Sequence, residues 1–295
     1  TQTEFLHILP RLGPGKAGWN RAAHTLGMFF IGPSLGAALL GWLGFQLTFV
    51  LVAAGMIVSL VVGNHVLRDA APGRKDRAAP LRERILDQLH VVLERAQFRR
   101  TMGIELCGQM AMSYFTVFIV LVGIRQFGMA TQEAAGLLTL QGALFVATLF
   151  GGGILLAGWR EEARYGLAFS LLFAHEALLF APQHKAQLWL SAGLLGVGLG
   201  TQHLTSVTRF GALMRELGRG RVGGLFSLAG PSGGLTGAVL GGLLGQHFGL
   251  LAGFRLLTVL YALQLVGYLR RSREPLRAET LGVAGTTCAD PESAE

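Results

Sequence analysis

Apolar residues run along this chain in long blocks and not at every third or fourth position. Eight windows, 22–43, 45–67, 101–124, 134–158, 165–181, 187–208, 222–246 and 248–269, contain only three charged residues, Glu105, Glu176 and Arg255. A helix half-exposed to water brings back polar or charged residues with every turn; these windows do not. Crossing about 30 Å of hydrocarbon takes roughly 20 mostly apolar residues in a helix. Each window therefore predicts a membrane-spanning helix, 165–181 being the shortest.

Composition narrows the class further. Glycine supplies 43 of 295 residues and only 14% are charged, against about 7% and about 25% in soluble domains. Disorder, collagen, a disulfide scaffold and an ordinary water-soluble enzyme are all excluded. The expected class is an all-α integral membrane protein. Cys107 and Cys288 are the only cysteines; they offer neither a metal-ligand spacing nor a disulfide framework. No metal and no cofactor is expected.

The basic residues set an orientation. Segments 1–21, 68–100, 159–164, 209–221 and 270–295 hold 22 of the 25 Lys and Arg, and the alternate connections only Arg125 and Lys185. Basic residues collect in cytoplasmic loops. The reading is a multi-pass protein of a cell (inner) membrane with both termini cytoplasmic. The pI of 10.3 has the same origin, so no nucleic-acid partner is expected. Arginine outnumbers lysine 22 to 3, a composition that fits a GC-rich bacterial genome.

A repeat sets the architecture. Ile31-Gly32-Pro33-Ser34-Leu35-Gly36 in the first window returns as Ala229-Gly230-Pro231-Ser232-Gly233-Gly234 in the seventh, 198 residues on. From first window to seventh is a step of six helices, and 68–100 is the longest connection. The expectation is two parallel six-helix repeats, twelve helices in all, of which this chain carries eight. Residues 1–67 would be the last two helices of an incomplete N-terminal half. Residues 68–100 form a central cytoplasmic loop in which Leu81, Ile85, Leu89, Val92 and Leu93 recur at helical spacing. Residues 101–271 make a six-helix C-terminal half, and 272–295, without apolar period, a disordered tail.

The chain is similar at this point to the major facilitator superfamily of secondary transporters, over nearly its whole length to residue 271, as the fifth to twelfth helices of that bundle. Gly32-Pro33-Ser34-Leu35-Gly36 resembles the motif of proton-coupled drug antiporters, with Ala37 in place of a second glycine. Gly153 to Arg164 resembles the basic loop between the eighth and ninth helices, with Ala157 at its aspartate position. The resemblance implies alternating-access movement of a small molecule, with H⁺ as coupling ion, efflux favoured over uptake, and a monomer when full length. An uptake carrier of the same fold is the alternative. A chain lacking four helices would by itself be transport-inactive.

Polar residues inside spans mark the candidate path, because charge at mid-bilayer is expensive. At 100° per residue, Gln109, Ser113 and Thr116 fall within about 80° of Glu105 on one side of helix 101–124, and Tyr114 on the other. Gln202 and Ser206 share a stripe on helix 187–208. The resemblance places these two helices around the central cavity, so Glu105, Gln109, Ser113, Thr116, Gln202 and Ser206, with Gln141, are the expected substrate-cavity residues. The competing reading is a dry interhelical hydrogen-bond seam, or for Glu105 a pairing with a loop arginine. Gly32, Pro33, Gly36, Gly230, Pro231 and Gly234 read as helix packing, static or gating: the rows Gly230/Gly234 and Gly233/Gly237/Gly241/Gly245 are small residues four apart that admit a neighbouring backbone, and proline removes a helical hydrogen bond. Glu176 reads as paired with Lys185 or His175. Ser34 and Ser232 also fit G-x-S-x-G, and His175 or His203 could complete a rhomboid-like intramembrane serine protease. One active site does not explain two copies, so no enzyme is expected.

Overall fold

The computed structural model describes residues 18–70, 90, 94–217 and 219–283. All regular structure among them is helical. The order is α1 (Trp19–Leu26), a π-helical turn (Gly27–Ile31), α2 (Gly32–Ala70), α3 (Ala96–Phe127), α4 (Thr131–Leu155), α5 (Glu161–Phe180), α6 (Lys185–Leu217), α7 (Arg219–Phe248) and α8 (Ala252–Val283). The chain divides into two compact units, one of residues 23–99 and one of residues 1–22 with 100–295.

In the smaller unit, α2 is interrupted at Gly44, whose φ of 71° and ψ of 174° are not helical. A positive φ costs glycine nothing and other residues considerably, so the break falls at the boundary expected between windows 22–43 and 45–67. The π turn ends immediately before Gly32-Pro33. Proline cannot donate to the carbonyl four residues back, and a locally widened turn accommodates that loss. Most of the amphipathic segment expected in loop 68–100 lies outside the described residues.

Among the described residues the larger unit contains the start of α1 and the helices α3 to α8. At its centre, α6 packs against α4, α5 and α7, while α8 packs against α5 and α7. Small residues set these distances. A Cβ at Gly196 would stand 2.5 Å from the Gln141 carbonyl oxygen of α4, and one at Gly198 2.9 Å from Leu172 of α5. The unit is tied at both ends of α5. Arg209 bonds Glu161 and the Tyr268 hydroxyl donates to the Glu162 carbonyl. At the opposite end Arg255 donates to the Phe180 carbonyl at 3.1 Å, a cation satisfying a helix C-terminus. Lys185 lies 3.3 Å from Glu133, joining the starts of α6 and α4.

Among the described residues, four segments are long and apolar enough to cross a membrane: Leu39–Val62, Ala96–Phe127, Thr131–Leu155 and Ala252–Arg270. This is a multi-pass membrane protein. The expected tail needs correction: residues 272–283 are helical, a continuation of α8, because Arg and Glu sustain a helix without any apolar period. Residues 284–295 lie outside the described residues.

Candidate functional site

Glu105 and Gln109 stand one turn apart on α3, Glu105 facing α6 and Gln109 lying against Gly233 of α7. Glu105 is only 3% exposed, and its Oε1 accepts from His203 Nδ1 at 2.7 Å and from Gln109 Nε2 at 3.0 Å. Arg21 of α1 donates to Gln109 Oε1 at 3.3 Å. Beside His203, Gln202 donates to the Ile104 carbonyl at 2.9 Å. That approach depends on Gly108, where a Cβ would collide with the Gln202 amide. Phe145 of α4 and Phe226 of α7 flank the imidazole, at ring separations of 6.5 and 6.0 Å. The result is a carboxylate–imidazole pair in an aromatic setting, continued by an amide to a guanidinium.

Glu105 Oε2, His203 Nε2, Gln202 Oε1 and Arg21 Nε are buried without a protein hydrogen-bond partner. Interiors rarely leave such groups unmet unless they serve some function. A Glu–His pair can hold or release a proton, and the two free atoms are where it would exchange. The Glu105 pairing differs from the loop-arginine reading: its partner is His203, two helical turns inside α6 from Arg209.

The remaining sequence candidates are scattered. Ser113 donates to the Gly234 carbonyl of α7 at 2.8 Å and Thr116 to Met112 of its own helix. Gln141 is buried on α4 with Nε2 unpartnered, and Ser206 lies 3.4 Å from the Tyr165 hydroxyl. Tyr114 packs on Gly241 and bonds the Leu250 carbonyl at 2.7 Å. Cβ atoms at Gly36, Gly230 and Gly234 would meet nothing within 4 Å, whereas Gly233 and Gly237 lie against the α3 backbone. Glu176 is fully buried beside His175, at 3.6 Å, and away from Lys185. His175 donates to the Ser191 carbonyl at 2.9 Å. Neither imidazole bonds a serine hydroxyl, and Ser232 is exposed.

Sequence reasoning missed Arg21 and gave His203 no part in the path. A histidine within an apolar window was the available signal. Its 100° offset from Gln202 put it off the stripe that was followed.

The family model described as Major Facilitator Superfamily matches residues 11–200. The chain belongs to the major facilitator superfamily. A search of curated proteins finds no match. The match runs from before α1 into α6, so it includes Glu105 and Gln109 and stops just short of Gln202 and His203. Membership in this superfamily supports a transport function. Among the described residues there is no group of three or more His, Cys, Asp or Glu that could hold a metal ion.

Proposed function

We propose that this superfamily member is a secondary active transporter that exports a small molecule from a bacterial cell in exchange for protons, by alternating access. Residues 96–283 act as one six-helix half of a bundle, and α2 belongs to the other half. All eight apolar windows are spans. The less apolar ones succeed because α6 is enclosed by neighbours and meets side chains where another helix would meet lipid. The 22-to-2 distribution of Lys and Arg supports cytoplasmic termini.

The observation that carries the proton-coupled reading is the Glu105–His203 pair, buried between the first and fourth helices of the six-helix unit. A charged pair in a membrane interior is costly to keep, and its protonation changes the local charge by one. Gln109 and Arg21 respond to that change because they are bonded in series to the same carboxylate. Substrate moves along the face that Glu105, Gln109 and Gln202 share, with Ser113, Thr116, Gln141 and Ser206 at its margins. Gly32-Pro33 and Gly230-Pro231 are the points at which their own helices bend during transport: Gly230 and Gly234 leave space on their helix that a second element can enter.

Expressed from its complete reading frame and reconstituted in vesicles, the protein should accumulate ethidium when the interior is acidic. Glu105→Gln should abolish dependence on the pH gradient while ethidium exchange at equal pH persists. Flux indifferent to the gradient, or a Glu105→Gln protein that matches the parent, would overturn the reading.

A further inference from the structure

The larger unit buries a second carboxylate–imidazole pair, which the path proposed above does not use. His175 and Glu176 are neighbours on α5 and both fully shielded, with His175 Nε2 3.6 Å from Glu176 Oε1. That nitrogen and both Glu176 oxygens are buried without a protein hydrogen-bond partner. Ionisable residues inside spans are rare because they are costly, and those that persist mark ion and proton pathways.

The hydrogen bonds fix how many protons the pair holds. The Ser191 carbonyl only accepts, so its 2.9 Å bond to His175 Nδ1 places a proton on that nitrogen. In a neutral imidazole Nε2 then carries a lone pair and no proton. An ionised Glu176 would turn further lone pairs towards it, with no donor between them. One added proton removes the conflict, whether it resides on the carboxyl or on Nε2. A side-chain adjustment of less than about 1 Å brings the two atoms to bonding distance.

The surroundings offer no other counter-charge. From α3, Phe115 packs its ring on the imidazole at 5.5 Å, and Tyr114 keeps its hydroxyl on the Leu250 carbonyl and the Gly253 amide. From α8, the buried Tyr261 hydroxyl is itself unpartnered and, like that of Tyr114, lies within electrostatic reach of Glu176. From α6, the facing group is the Ser191 carbonyl. Among the described residues no Lys or Arg bonds Glu176. Lys185 is held by Glu133, Arg255 by the Phe180 carbonyl, and Arg125 is exposed. Position also separates this pair from the first. Ser191 and His203 are twelve residues apart on α6, about 18 Å along its axis.

We propose that Glu176 and His175 form a second proton-binding site, holding one exchangeable proton between the carboxyl and Nε2. Release passes that proton to water and leaves a carboxylate, while the imidazole keeps its Nδ1 proton. A bare buried carboxylate is costly, so release requires the contacts of α5 with α6 and α8 to part and admit water. Occupancy of the site is independent of Glu105; its use in exchange for substrate rests on the transporter reading above.

Infrared spectroscopy of the protein, expressed from its complete reading frame and held in nanodiscs at neutral pH, tests this. The parent should show a carboxylic C=O band that Glu176→Gln lacks and Glu105→Gln keeps. In heavy water the band should shift to lower frequency while most amide N–H groups remain unexchanged. His175→Asn keeps a donor near the Nδ1 position and removes Nε2, so it should shift the band to higher frequency as the carboxyl loses its acceptor. The site is refuted if Glu176→Gln loses no band. A band that fails to shift in heavy water would make Glu176 a sealed acid and overturn the exchange. A band indifferent to His175→Asn would overturn the shared proton. Loss of the band on adding Na⁺ would assign the site to that ion instead. Ethidium flux indifferent to a pH gradient, with the band and its exchange intact, would remove the transport reading and leave this site standing.

Discussion

A carboxylate and an imidazole buried together lose hydration that only their mutual contact and further hydrogen bonds can offset. At Glu105 that contact is 2.7 Å and Gln109 adds a second donor to the same oxygen. Removing one partner leaves the other buried alone, so Glu105→Ala or His203→Ala should each destabilise the protein by about 3–5 kcal/mol. Removing both should cost less than the sum, with a coupling of about 0.5–3 kcal/mol. Unfolding in micelles by a denaturing detergent measures this, and strict additivity would mean that the pair does not form. Glu105→Gln retains an acceptor for His203 and should lose far less stability than Glu105→Ala. That difference separates its effect on coupling from an effect on folding. Glu176 follows a different rule: both its oxygens lack partners, so Glu176→Gln removes no hydrogen bond made within the protein.

Between helices, the decisive residues are glycines on one face of α7. A Cβ at Gly237 would lie 2.5 Å from the Met110 carbonyl oxygen, part of a helix backbone that cannot step aside. Gly237→Ala should destabilise by about 1–3 kcal/mol, the usual cost of overpacking. At Gly242, five residues on, nothing lies within 4 Å, and alanine should be neutral or stabilise by up to about 1 kcal/mol through helix propensity. Micellar unfolding of the two variants compares them directly; similar losses would contradict the α3–α7 packing. Tyr114 ties the same face to α8, its hydroxyl donating to the Leu250 carbonyl and accepting from the Gly253 amide at 3.1 Å. Tyr114→Phe should cost about 1–3 kcal/mol, because the buried amide and carbonyl lose their partner together.

For the whole molecule, the testable property is sidedness. With Cys107 and Cys288 replaced by serine, single cysteines at Gln126 and Gln183 should react with a membrane-impermeant maleimide on intact cells. A cysteine at Gly158 should react only after the membrane is opened. Gly158 tolerates a side chain, having nothing within 4 Å of a Cβ. Labelling of 158 from outside, or protection of 183, would reverse the orientation drawn from the basic loops. The same experiment tests the less apolar α5, since 158 and 183 flank it and can differ only if it crosses the membrane.

Much of this protein is legible without coordinates because bilayer thickness acts locally. A helix must stay apolar for about 20 residues wherever it sits, so the windows anticipate α3, α4, α5 and α7 to within about five residues and α6 and α8 except for their longer polar C-terminal ends, and the turn at Gly44 marks the gap between two windows. The Gly-Pro repeat is legible too, because it is a match between two stretches of the chain itself. Three things needed the tertiary structure: the pairing of Glu105 with His203, the choice of Gly233 and Gly237 as the packing glycines, and the burial of Glu176. Each depends on how far a helix is rotated about its own axis relative to its neighbours. Hydropathy is nearly blind to that angle in spans that are apolar on all sides. It is decided by which small residues let which backbones approach, a property of the packed bundle and not of any one segment.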